Sequence, residues 1–299
     1  MSYLIGVTVL WAFSFSLIGV YLAGVVDPYF AVFTRLTLAC LLFAPVLWRQ
    51  PLPVRHALGL MGVGAIQIGL MYTFFYQSFL WLSVPEILLF TIFTPIYVTL
   101  VEDLLARRWT PMYLLSAAAA VAGAGIIRYD GISQDFWTGF LIVQASNLCF
   151  AAGQVAYRHV YDRLDVRVKG WRVFGWFFVG AWPISALLWL GLGDLSGLPT
   201  TATQWGVLTW LGVVASGLGY YFWNRGATQV DIGTLAVMNN ALIPAGLTVN
   251  LLIWNHDADI SRLALGAAVM ALALVGNRWW VVRRSQGCSS RSATRSSSS

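Results

Sequence analysis

Long apolar runs, each ended by a few polar or turn-forming residues, cover almost the whole chain. They fall at about residues 3–24, 28–48, 57–80, 84–105, 110–128, 137–160, 171–193, 204–225, 231–254 and 261–282. Each has close to the ~20 residues with which a helix crosses a hydrocarbon core of ~30 Å. At that depth no water is available to the backbone, so only helices or a closed barrel can span. Barrel strands alternate polar and apolar over about ten residues, and these runs do not. The pattern therefore predicts an all-α polytopic membrane protein of ten transmembrane helices. The joints "VVDPYF", "RQPLPVRH", "RYDGISQD", "GLGDLSGLPTT" and "WNHDADIS" carry ordinary turn chemistry.

Composition agrees: 59% of residues are hydrophobic and 10% charged, against about 25% charged in soluble chains. The net charge of +6 does not point to nucleic acid, because the basic residues lie between apolar runs rather than in one cluster. Of the 18 Lys and Arg, fifteen fall on one side of the predicted spans, two (Arg128 and Arg262) on the other, and Arg35 lies within a span. Such a bias supports ten spans and places both termini in the cytoplasm. Cys40, Cys149 and Cys288 form neither a disulfide framework nor a zinc site, and no metal or cofactor is expected. The opening "MSYLIGVTVLWAFSF" lacks a basic n-region and is read as a retained first span. The Ser-rich stretch 285–299 is read as a disordered tail.

The chain reads as a duplication. "GLMYTFFYQ" before "LLFTIFTPIY" parallels "GLGYYFWNR" before "LAVMNNALIPAG", with Pro95 and Pro244 149 residues apart. "LWAFSFSLIGVYL" parallels "LCFAAGQVAYRHV" in the sixth run. Two units, 1–135 and 136–284, each of five helices, must enter the membrane with opposite orientation. Inverted repeats are a plan of secondary transporters, with substrate near the midplane.

At these residues the chain resembles the EamA family of the drug/metabolite transporter superfamily. The resemblance rests on "LWAFSFSLIGVYL", then Pro28 and an Arg within "AVFTRLTLACLLFAP", on Pro95 and Pro244, and on "LGVVASGLGYYFWNRGATQVDIGTLAVMNNALIP". It implies a ten-helix carrier in a bacterial inner membrane, commonly an exporter of amino acids or related metabolites. The chain departs from the family's pattern where an acid often follows the first proline by about a dozen positions; Arg107 and Arg108 stand there.

Polar side chains within spans are candidate functional groups, since each costs energy unless it faces protein or a wet cavity. In the sixth run Gln144, Asn147 and Gln154 share one helical sector and point inward, either as substrate contacts or as hydrogen-bonding glue. Asn239 and Asn240 precede Pro244, and Thr91 and Thr94 precede Pro95. A proline deprives the carbonyl four residues back of its partner, so these kinks are expected to offer free carbonyls to an ammonium group or water. Tyr72 and Tyr76 share a face, with Tyr220 in the duplicated helix, and Trp11 lies beside Ser14. These aromatics are read as cavity lining, whereas Trp48, Trp81, Trp109, Trp279 and Trp280 belong to interface belts. Arg35 snorkels, anchors carbonyls or binds a substrate carboxylate. Glu86 is its candidate partner or a protonatable gate; other buried acids are expected to be nearly absent.

An intramembrane enzyme would need a nucleophile with its base, a metal cluster or paired carboxylates. His56, His159 and His256 sit at helix ends in separate joints. No Walker-type loop is present for ATP-driven transport, nor a filter signature for a channel; lipid handling stays open. The expectation is a non-enzymatic secondary carrier for an amphipathic zwitterion such as an amino acid, bound between helices 1, 3, 4, 6, 8 and 9.

Overall fold

A computed structural model describes residues 1–47, 52–82, 84–107, 136–164 and 170–254, with single helical positions between 111 and 119 and between 261 and 279. The predicted helices at 110–128 and 261–282, and the tail, lie largely or wholly outside the described residues.

The described chain is helical, without strands. Helices α1 (Ser2–Tyr21) and α2 (Pro28–Leu47) come first. The third rod is α3 (Val54–Gly64), a π-helical turn (Ala65–Leu70) and α4 (Met71–Ser78). The fourth is α5 (Val84–Phe90), a 3₁₀ turn (Thr91–Phe93) and α6 (Thr94–Ala106). After α7 (Phe136–Asp162) and α8 (Trp171–Leu192) come α9 (Ala202–Trp210), a second π-helical turn (Leu211–Leu218) and α10 (Gly219–Ala227). The last described rod is α11 (Ile232–Asn240), broken at Ala241, and α12 (Leu242–Trp254).

Among the described residues six rods are long and apolar enough to cross a membrane: Ser2–Tyr21, Pro28–Leu47, Val54–Ser78, Glu86–Ala106, Trp137–Asp162 and Val173–Leu192. Their outer faces carry large apolar side chains, such as Leu190 at 78% exposure, a surface suited to lipid rather than water. Caps set several ends. Thr201 and Gln204 form a capping box at the start of α9, and Asp231 accepts from the Thr234 amide at the start of α11. Asp27 accepts from the Phe30 amide at 2.7 Å and from the Asp194 amide at 3.3 Å, tying the joint before α2 to the one after α8.

The rods meet in related pairs. Helix α1 lies against α10 and α12, while α7 lies against α4 and α6. Helix α3 packs on α8, and the second π turn packs on α2; α2 and α8 pack along each other. Small residues permit the closest approach, as in other membrane bundles. A side chain at Gly64 would run into the Phe177 carbonyl, and one at Gly180 into that of Met61.

Candidate functional site

The π turns and the proline break decide which backbone groups are left for side chains. A π turn shifts the hydrogen-bond ladder and commonly marks a functional position. In the second turn the Ala215 carbonyl accepts the Trp11 indole N–H at 2.9 Å. Directly after the first, the Met71 carbonyl accepts the Ser146 hydroxyl at 3.1 Å. Each contact pins an α1 or α7 side chain to a rod of the other half.

Pro95 has no amide to give the Thr91 carbonyl, and the 3₁₀ turn supplies one instead: the Thr94 backbone amide donates to it, as does the Thr94 hydroxyl at 2.8 Å. The Phe90 carbonyl accepts from Asn147 Nδ2 at 2.8 Å and Gln144 Nε2 at 3.1 Å, and the Ile92 carbonyl accepts from Asn240 Nδ2 at 2.9 Å. At Pro95 the expectation of carbonyls open to an ammonium group or water is therefore corrected: the protein's own amides and hydroxyl donate to them. Pro244 follows the break at Ala241, and its own carbonyl accepts the Thr248 hydroxyl at 2.7 Å.

Arg35 does not snorkel. It is 2% exposed, and its Nε donates to Ser216 Oγ at 3.1 Å, Nη1 to the Tyr76 hydroxyl at 2.8 Å and Nη2 to the Tyr72 hydroxyl at 2.6 Å. Tyr72 and Ser216 share a further hydrogen bond of 3.0 Å. The Tyr72 ring lies 4.2 Å from the guanidinium carbon, a cation–π distance. Glu86 is buried in the first turn of α5 and is not among the partners of Arg35.

A cavity lies between the rods, about 660 Å³ when the open space at its mouth is counted. From the sequence-predicted set it brings together Trp11, Ser14, Arg35, Tyr72, Thr91, Thr94, Asn147, Tyr220 and Asn239. Trp11 and Tyr220 meet with ring centroids 5.0 Å apart, and Phe15 and Phe75 at 5.1 Å. Ser14 Oγ is buried without a hydrogen-bond partner.

Five predicted residues do not line it. The Tyr76 hydroxyl accepts from Arg35, Asn240 serves the Ile92 carbonyl and Gln144 the Phe90 carbonyl. Gln154 is scaffold: its Nε2 donates to Asn239 Oδ1 at 3.2 Å while its Oε1 accepts from the Trp223 indole at 3.0 Å. Glu86 is the fifth. Sequence reasoning missed Ser146, Ser216, Phe15, Phe75 and Phe150. Ser146 adjoins Asn147, and Ser216 stands four residues before Tyr220; both spacings were signals.

The cavity is one-sided. Its residues on α1, Trp11 to Ile18, and on the third rod, Met71 to Phe75, come from the C-terminal parts of those rods. The opposite half is filled by a separate apolar cluster that includes Leu4, Val98, Val155, Trp223, Ile232 and Leu235. At that end Arg158 donates to the Ala227 and Val230 carbonyls, and His159 Nε2 lies 3.1 Å from Glu102 Oε2. Glu102 and Asp103, like Asp27 and Glu86, are buried, so buried acids are more numerous than the apolar pattern suggested.

A solved crystal structure shares this fold, at a TM-score of 0.70 and 20% identity over 91% of this chain and 94% of that one. The family model described as the EamA-like transporter family matches residues 1–129. A Pseudomonas aeruginosa protein named "Probable biotin transporter" is 53% identical over 93% of this chain and 97% of its own length. The "Biotin transporter" of Escherichia coli K12 is 47% identical over 95% of each chain. With the apolar rods and the cavity between them, these relationships over almost the whole length make the protein a multi-pass membrane transporter of a small metabolite rather than an enzyme. The chain belongs to the EamA-like transporter family.

Proposed function

We propose that this protein transports biotin across a bacterial inner membrane by alternating access, through two inverted five-helix units, 1–135 and 136–284, with both termini cytoplasmic. The observation that carries the substrate is the cavity's lining, taken with the names of relatives matched over almost their whole length. Biotin presents a bicyclic ureido head and an acidic chain. Aromatic walls at Trp11, Phe150 and Tyr220 suit the bicycle, and Asn147 and Asn239 offer amide chemistry to the ureido group. The amino-acid reading of the sequence gives way to this one.

The inverted plan is supported by the contacts. Exchanging α1 with α7, α2 with α8, the third rod with the rod α9–α10, and the fourth with the last described rod turns each contact named above into another of the set. Both π turns precede the matching aromatic segments. In this orientation the apolar cluster closes the cytoplasmic half and the cavity faces outward. Counterflow of labelled biotin in proteoliposomes tests the substrate, because exchange needs neither an ion gradient nor a net direction. Counterflow of amino acids but not of biotin would overturn the reading.

A further inference from the structure

The proposed site contains a charge whose counterpart is missing. Arg35 is buried and lines the cavity, and among the described residues its N–H groups donate to the hydroxyls of Ser216, Tyr72 and Tyr76. No carboxylate lines the cavity or bonds to Arg35 among the described residues. Hydroxyls orient a guanidinium but do not neutralise it, and a buried charge without an opposite one is costly to hold. A guanidinium carries five N–H groups. Three are used, which leaves one N–H on Nη1 and one on Nη2 to donate to an incoming carboxylate.

We propose that Arg35 is the carboxylate receptor of this carrier, and that the site selects monoanions whose other polar groups are neutral. The inference deepens the biotin reading and rests on it. It also gives a reason for rejecting zwitterions: an α-amino acid would bring an ammonium group into a cavity that offers no acid to pair with it. Tyr72, Tyr76 and Ser216 act as positioning residues. Their hydroxyls fix the plane of the guanidinium before the anion arrives, so that little orientation remains to be lost on binding. The valerate of biotin supplies the anion, while its ureido group is uncharged.

The test is a ratio of affinities. Purified protein in nanodiscs is titrated with biotin and with biotin methyl ester, in which the carboxylate is capped by one methyl group and uncharged. The wild-type protein is expected to prefer biotin by about 10-fold or more, the scale of a hydrogen bond to a charged group. In Arg35→Gln the ratio is expected to fall to about 1. Should that variant fail to fold, Arg35→Lys keeps the charge but loses the planar fork, and its ratio is expected to lie between the two. Equal binding of acid and ester by the wild type, or an undiminished ratio in either folded variant, overturns the receptor role and leaves biotin transport standing. Folded wild-type protein that binds neither compound overturns the biotin reading itself.

Discussion

Two serines line the same cavity with opposite hydrogen-bond histories, and they separate substrate contact from scaffold. Ser14 Oγ is buried with no partner, whereas Ser146 Oγ donates to the Met71 carbonyl at 3.1 Å. Removing the Ser14 hydroxyl takes no hydrogen bond from the empty protein and relieves a buried group of its desolvation. Ser14→Ala is thus expected to melt at or slightly above the wild-type temperature. If bound substrate is the missing partner, the variant loses a net ~0.5–1.5 kcal/mol of binding, which raises the KM for biotin about 2- to 13-fold. Ser146→Ala breaks an existing bond and leaves a buried carbonyl short. It is expected to cost ~0.5–1.5 kcal/mol of stability, near the ~0.6 kcal/mol average for such bonds in membranes. The corresponding fall in melting temperature is on the order of 1–4 °C. Thermal unfolding in nanodiscs and initial-rate biotin uptake read the two quantities separately. A wild-type KM for Ser14→Ala, or destabilisation of that variant to the extent seen for Ser146→Ala, would refute the assignment.

Other substitutions probe the frame. Gly180→Leu forces a side chain into the Met61 carbonyl, so α8 cannot approach α3, and folded yield on size exclusion should collapse. Asn240→Leu strips the Ile92 carbonyl of its donor and is expected to cost ~1–3 kcal/mol, visible as a lower melting temperature. Pro95→Ala restores an amide that competes with Thr94 for the Thr91 carbonyl; the protein should stay folded, while counterflow drops as the break straightens. Val155 lies in the apolar cluster opposite the cavity and is fully buried. In a background without native cysteines, Val155→Cys should resist aqueous thiol reagents until biotin turnover opens that half; labelling that biotin leaves unchanged would count against alternating access.

The spans were legible because lipid imposes one rule on all of them: a long run without charges must be a helix with its backbone satisfied internally. Their ends agree with the structure to within a few residues where described, as with 171–193 against Trp171–Leu192. Polar residues in such runs are few, and most of those singled out do converge, because lipid would penalise them anywhere else. Their roles were less legible. Gln154 and Asn240 carry the same chemistry and the same burial penalty as Asn147, yet only Asn147 reaches the cavity. Helical phase tells which side of a rod faces inward but not how two rods are shifted along each other.

What the sequence determined alone was the solvent, the helical class, the kink positions and a short set of inward polar groups. Each follows from the cost of placing one residue type in hydrocarbon, a local property. The tertiary structure decided which backbone carbonyls stay open and what faces Arg35. Asn147 and Asn240 close the carbonyls beside Pro95 from positions 57 and 148 residues away from their acceptors, and Ser216 reaches Arg35 across 181 residues. Partners so distant in the chain are chosen by the packing of whole rods, and a local pattern of apolar and polar residues holds no record of that choice.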